Sequence, residues 1–296
     1  MNGLEECGFV GEDRIISSPV IFRRSFPRCR LPKARRLFSP PGAQIDALGW
    51  VEVTPENFAL EIAERVRRWI GKDNQILDVC AGLGGNTAAF ARRGLKVLAV
   101  EIDDSRVKKA MHNCRKLYGL KVDRINGEDS TDLSLDIQFI CADFLTLQIP
   151  ETWNFLCAFI SPPWGGAESN RKPFRLRPEP GNCSAPSFAA QLTIDLVVKA
   201  SRITDRLVMY LPCSTTVEDA IWLAQKVGMA ELTIEVLMVE DEPKVCVLYL
   251  SRNRKAPTAM PALLYGTTAG QIARRMFHGI FQRASDEAAK AFSVHP

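Results

Sequence analysis

Residues 75–87 read Gln-Ile-Leu-Asp-Val-Cys-Ala-Gly-Leu-Gly-Gly-Asn-Thr. The apolar run at 76–80 has the length and composition of a buried strand, Gly82, Gly84 and Gly85 make a turn, and Asn86 opens a helix to residue 93. A strand, a glycine turn and a helix in that order let backbone amides approach a ligand at a helix N-terminus. The same alternation continues on either side. Thr54-Pro55-Glu56 reads as an N-cap with Pro at the first helical position, and Phe58, Ile62, Val66, Trp69 and Ile70 stripe a helix over 56–70. Downstream the pattern predicts strands at 95–101, 137–142, 155–160 and 206–211, and helices at 105–118, 189–200 and 217–227. Residues 121–136 are polar and acidic and read as a surface loop. The runs 232–239 and 244–250, separated by Glu240-Asp241-Glu242-Pro243, read as a hairpin. Together these elements predict an α/β fold: a doubly wound, mainly parallel, seven-stranded Rossmann-like sheet ending in a β-hairpin, with a small N-terminal helical extension. The expected division is a basic, partly irregular arm (1–45), a helical extension (46–74), the sheet domain (75–251) and a helical tail (252–296).

Composition sets the broad class. The 296 residues are 46% hydrophobic and 24% charged, as in soluble globular proteins. No window approaches 18 uninterrupted apolar residues, so no membrane span is expected, and the first ten residues lack a basic-then-apolar leader. The nine cysteines include no Cys-x-x-Cys pair, which predicts an intracellular chain without disulfides or structural zinc. The net charge of +4 is concentrated in residues 1–45, where eight Arg and Lys face four acids. Interleaved with Phe22, Phe26 and Phe38, that arm reads either as a polyanion-binding segment or as a solubilising or nuclear-targeting tail.

Three acids fall at three successive strand ends. Asp78, four residues before Gly82, suits a cationic amino acid better than a pyrophosphate. Glu101 closes the next strand, where an acid can hold ribose hydroxyls. Asp143, beside Phe144 after the third strand, can receive an adenine amine. An adenosine bearing an amino-acid tail is S-adenosylmethionine, and Thr54, Gly82, Gly84, Asn86 and Thr87 complete the expected cofactor set. A fourth strand end carries Ser161-Pro162-Pro163-Trp164-Gly165-Gly166. Two prolines stop the strand and stiffen the exit, leaving a tryptophan on a rigid corner where open α/β sheets bind ligands. A small polar residue, a fixed backbone and an aromatic plate suit a planar heterocycle carrying an amine.

Taken together the chain resembles the trimethylguanosine synthase family, which methylates the exocyclic amine of 7-methylguanosine RNA caps. The matching residues are Leu37-Phe38-Ser39, Gly49-Trp50 with Val53-Thr54-Pro55-Glu56, Asp78 through Thr87, Glu101-Ile102-Asp103, Asn113 with Tyr118-Gly119, Phe139 through Leu145, and Ser161 through Gly166. The resemblance covers roughly residues 37–250. It implies a class I methyltransferase sheet, S-adenosylmethionine as cofactor, capped RNA or cap nucleotides as partner, no metal and a nuclear location. It also implies that Ser161 and the Pro162 carbonyl accept hydrogen bonds from the guanine amine, while Trp164 and Pro163 hold the base. No general base is expected among His112, His278 and His295. The chain departs from the family at Ala167-Glu168-Ser169 (Pro-Asp-Tyr in the family), at Cys213 (Arg) and at Pro32-Lys33-Ala34-Arg35-Arg36 (an aromatic- and Arg-bearing segment). Candidate phosphate ligands are then Lys33, Arg35 and Arg36, or Arg171, Lys172, Arg175 and Arg177. Two alternatives remain open: a base-amine methyltransferase acting within RNA or DNA, and a catalytically silent RNA-binding module on the same fold.

Overall fold

The alternating elements build one nine-stranded sheet in a computed structural model that describes residues 20–126, 134–149, 153–164, 174–177 and 186–252. The strands are β1 (Val20–Phe26), β2 (Gln75–Asp78), β3 (Lys96–Glu101), β4 (Val122–Arg124), β5 (Ile137–Cys141), β6 (Phe155–Ile160), β7 (Arg206–Pro212), β8 (Glu231–Val239) and β9 (Glu242–Ser251). Their order is β1-β8-β9-β7-β6-β2-β3-β5-β4. Only β9 runs against its neighbours. Every other strand therefore ends at one common edge, where ligands of open α/β sheets bind. The helices are α1 (Lys33–Leu37), α2 (Gly49–Glu52), α3 (Glu56–Ile70), α4 (Gly85–Arg92), α5 (Asp104–His112), α6 (Phe188–Ile203) and α7 (Val217–Lys226). Packing α3, α4 and α5 on one face and α6 and α7 on the other buries an apolar cluster on each.

The seven expected strands occupy contiguous places from β8 to β5, and each edge carries one strand more than predicted. β4 lies in the stretch read as a surface loop, and β1 in the arm read as irregular. β1 has no alternation to betray it, because its register comes from pairing with β8, Val20 opposite Thr233 through Phe26 opposite Val239. Side chains fix it to α3: the Phe26 ring lies 5.0 Å from that of Phe58, and the Arg65 guanidinium sits over Phe22. Arg65 also pairs with fully buried Glu235 at 2.7 Å, and Glu235 accepts the Tyr249 hydroxyl at 2.9 Å. Burial pushes the Glu235 carboxyl up against the opposing pull of Arg65 and Tyr249.

Two boundaries differ for local reasons. The helix predicted over 105–118 is α-helical only to His112 and finishes in a π-helical turn, Asn113–Leu117. The wider turn belongs to a fully buried Asn113, whose amide donates to the Gln44 and Leu83 carbonyls and accepts the Gln44 N–H at 2.8 Å. All of its contacts hold the N-terminal segment against the glycine turn. Thr54 is not the N-cap of α3, since Pro55 occupies that place without a side-chain cap. The Thr54 hydroxyl instead accepts from Asn86 Nδ2 at 2.9 Å. Glu56 then ties three distant segments, accepting the Ser39 N–H at 2.6 Å, the Tyr118 hydroxyl at 3.1 Å and the Arg92 guanidinium. Burial works to raise the Glu56 pKa, but the Ser39 and Arg92 hydrogen bonds outweigh it and hold the carboxyl below its usual range.

Candidate active site

A cavity of about 290 Å³ opens at the common edge, between the ends of β2, β3, β5 and β6. The glycine turn forms its floor. Gly82 has φ 55°, and an added Cβ there would meet nothing within 4 Å, so its backbone faces open space. Gly84, at φ 80°, does different work: a Cβ would come within 3.1–3.2 Å of Ala110 and Cys114 on the helix behind it. It serves close packing of the turn and does not line the cavity. Gly49 is equally constrained, because a Cβ would sit 2.3 Å from Leu83 Cδ1. That contact seats α2 on the turn as a side wall, and Asp46 Oδ1 caps it by accepting the Gly49 N–H at 2.6 Å.

Glu101 is buried at the end of β3. One of its oxygens accepts the Gly82 N–H at 2.7 Å and the other the Asp103 N–H at 3.1 Å. Each oxygen keeps a second lone pair for a donor in the cavity. Asp143, exposed after β5, accepts the Leu145 N–H at 2.9 Å through Oδ1. Its neighbour Phe144 is buried, with the Lys199 ammonium 5.1 Å above the ring. Lys199 also donates to the Leu145 and Leu147 carbonyls at 3.0 and 2.5 Å, which steadies this turn.

At the end of β6, the Trp164 ring stacks on Tyr210 with centroids 5.3 Å apart and planes 23° apart, and its indole N–H donates to the Tyr210 carbonyl at 3.1 Å. The plate expected from Pro-Pro-Trp is thus held on one face and lines the cavity beside Ser161, Pro162 and Pro163. Thr54, Gly82, Asn86, Glu101, Asp143 and Phe144 line it as well. Sequence reasoning missed Arg106, Glu52, Ile102 and Leu196 in the lining, and Tyr210 behind Trp164. Of these only Ile102 carried a signal, since it directly follows the expected ribose acid. Arg106 bridges Asp46 at 3.2 Å and Glu52 at 2.7 Å, so it clamps α2 while facing the cavity.

Several expected ligands stand elsewhere. Asp78 is 1% exposed and lies behind the wall, where Thr87 Oγ1 donates to one carboxylate oxygen at 2.6 Å and the other finds no partner. Asp78, Gly84 and Thr87 therefore brace the turn from beneath instead of lining the cavity. Burial pushes the Asp78 pKa up to about 7; the Thr87 bond opposes the rise and the Glu101 charge adds to it. An unfolded Asp titrates near 4. Between about pH 4 and 7 the folded chain thus holds a proton that the unfolded chain has lost, and stability falls as pH rises. Denaturation of ligand-free Asp78→Asn protein is expected to show a flatter stability curve over that window. An unchanged slope would mean that Asp78 is already ionised in the fold.

Lys33, Arg35, Arg36 and Arg175 also lie off the lining. Arg175 pairs with buried Asp219 at 3.6 Å. Asp219 additionally accepts the Leu176 and Arg177 N–H groups at 3.0 and 2.9 Å and the Thr216 hydroxyl, which anchors residues 174–177. Arg171 and Lys172 lie outside the described residues.

The sheet order, with its strand ends gathered at one edge, is that of the class I methyltransferase fold. Comparison with known proteins narrows the class. The model of the RNA cap guanine-N2 methyltransferase family matches residues 73–256. The chain is 32% identical to trimethylguanosine synthase of Schizosaccharomyces pombe over 183 residues, 60% of this chain and 66% of that one. It is 32% identical to trimethylguanosine synthase of Saccharomyces cerevisiae over 141 residues, 45% of this chain and 40% of that one. The chain thus spans just under two thirds of the length of the first relative and less of the second. A SAM-dependent methyltransferase from Agrobacterium tumefaciens is similar in structure, with a TM-score of 0.47 and 14% identity, covering 71% of this chain and 67% of that one. This chain belongs to the RNA cap guanine-N2 methyltransferase family.

Proposed function

We propose that this protein transfers methyl from S-adenosylmethionine to the exocyclic amine of 7-methylguanosine in RNA caps, giving di- or trimethylguanosine. The observation that carries the reading is the Tyr210-backed Trp164 plate, set beside Ser161 and Pro162 in the same cavity as Glu101 and Asp143. The donor set fits the cofactor. The free lone pairs of Glu101 suit ribose hydroxyls, Asp143 with Phe144 suits an adenine amine, and the open backbone at Gly82 with Thr54 and Asn86 leaves room for the methionine end. When bound, S-adenosylmethionine supplies a methyl already activated by the sulfonium.

The chain's own task is alignment, which can contribute about 7–11 kcal/mol of barrier reduction. The guanine amine is a weak nucleophile because its lone pair is delocalised into the ring. The Ser161 hydroxyl and the Pro162 carbonyl accept its two N–H groups and turn the lone pair toward the methyl. A 7-methylated guanine is cationic, so stacking on Trp164 adds about 0.5–2 kcal/mol of cation–π attraction. That term favours a base already methylated at the ring. The product proton departs to water.

Purified protein with labelled S-adenosylmethionine should label 7-methyl-GTP and leave GTP and uncapped RNA unlabelled. Label in uncapped RNA would transfer the assignment to an internal base-amine methyltransferase. Cofactor binding without label in any acceptor would support the silent module.

A further inference from the structure

β1 runs parallel to β8, so Phe26 arrives at the same edge as the cavity. The arrival is pinned: the Phe26 carbonyl accepts the Glu240 N–H at 3.0 Å, and Ser25 Oγ accepts the Asp241 N–H at 3.3 Å. The chain is caught again at Leu37 and Phe38, which bury against Leu83 of the glycine turn, and at Ser39 on Glu56. Between the two anchors lies Pro27-Arg28-Cys29-Arg30-Leu31-Pro32-Lys33-Ala34-Arg35-Arg36, with five cations and no acid. Four strands, β8, β9, β7 and β6, separate β1 from β2, roughly 24 Å at ordinary strand spacing. Extended to Pro32 and helical beyond, the segment reaches about 30 Å. It therefore crosses the strand ends directly, with little slack to loop away. Trp164 and Tyr210 pack with the same apolar cluster as Phe26 and Phe58, so the crossing and the base plate share a face of the sheet. None of Arg30, Lys33, Arg35 and Arg36 forms an ion pair among the described residues.

Resting on the cap reading above, we propose that residues 27–36 form a cationic track for the single-stranded RNA that continues from the cap, leading it from the Trp164 plate toward the β1 edge. A cap base held at Trp164 places a polyphosphate, and then a sugar–phosphate chain, at the mouth of the cavity. A run of five cations, four of them without an ion pair among the described residues, fixed at both ends beside that mouth presents the complementary charge without having to be ordered on binding.

The test compares wild-type protein with Arg28→Gln/Arg30→Gln, two exposed residues that line no part of the cavity. Binding of a fluorescent capped ten-nucleotide RNA is measured between 50 and 200 mM salt, together with the KM for 7-methyl-GTP. Wild type should bind the capped oligomer with a steep salt dependence. The double variant should lose about 1.4 from the log–log salt slope, so that the ratio of wild-type to variant affinity shrinks about sevenfold between 50 and 200 mM, because each single-strand contact contributes about 0.7. Its kcat and KM for 7-methyl-GTP should equal wild type. A variant that keeps the wild-type slope, or wild type that binds polyglutamate as tightly as the RNA, overturns the track. Loss of slope in a protein that methylates no cap nucleotide would keep the track and overturn the cap reading alone.

Discussion

Trp164→Ala lowers kcat/KM for 7-methyl-GTP about 100-fold and leaves the affinity for S-adenosylhomocysteine within about twofold. The first half follows from what the ring offers a cationic base. Base–aromatic stacking contributes about 1–3 kcal/mol and the cation–π term about 0.5–2 kcal/mol. A combined loss near 3 kcal/mol corresponds to about two powers of ten. The second half follows from position: Trp164 follows β6, whereas Glu101 ends β3 and Asp143 follows β5. Trp164→Phe separates stacking from anchoring. It keeps a ring against Tyr210 but loses the indole N–H to the Tyr210 carbonyl, so its activity should fall between the two. Steady-state kinetics with 7-methyl-GTP and calorimetry with S-adenosylhomocysteine check both halves. A Trp164→Ala enzyme within threefold of wild type would remove the plate from the mechanism.

Glu101→Gln raises the Kd of S-adenosylhomocysteine by about 100-fold or more and raises the KM for S-adenosylmethionine without moving that for the cap nucleotide. The wild-type carboxylate serves two backbone N–H donors, Gly82 and Asp103, one on each oxygen, before any ribose arrives. Gln offers one oxygen, so its NH2 must face one of those donors. A hydrogen bond to a charged acceptor contributes about 1.5–3 kcal/mol, and a buried donor left unmatched costs about 1–3 kcal/mol. Because the Gly82 N–H is one of the two, the substitution loosens the floor of the cavity as well as the ribose contact. Calorimetry is decisive here: wild-type affinity in Glu101→Gln would mean that the ribose is held elsewhere.

The parts of the molecule that were legible in sequence are those specified locally. Residues 75–87 announce strand, turn and helix through composition within a dozen positions, and the stripe from Phe58 to Ile70 sets α3 to the residue. The acids at Glu101 and Asp143 and the Pro-Pro-Trp corner could be read because strand ends are where chemistry gathers in such sheets. What was not legible depends on partners remote in the chain. β1 and β4 lack alternation, and their strand character is imposed by β8 and β5. Arg106 reached the cavity unannounced because Asp46 and Glu52 hold it there. Thr54 looked like a cap, and the difference is one residue of helix start that only the Asn86 amide reveals. Asp78 carries the right residue type at the right place, yet Thr87 and burial turn it inward.

The pairing of β1 with β8 joins residues more than 200 positions apart, Val20 with Thr233. During synthesis, at about 5–20 residues per second, the first strand leaves the ribosome roughly 10–40 s before its partner exists. β1 is an edge strand whose one neighbour is β8, so it cannot take its place in the sheet before β8 has been made. Because the basic crossing is tethered through β1, the surface around the cavity is finished only after the whole sheet has been translated.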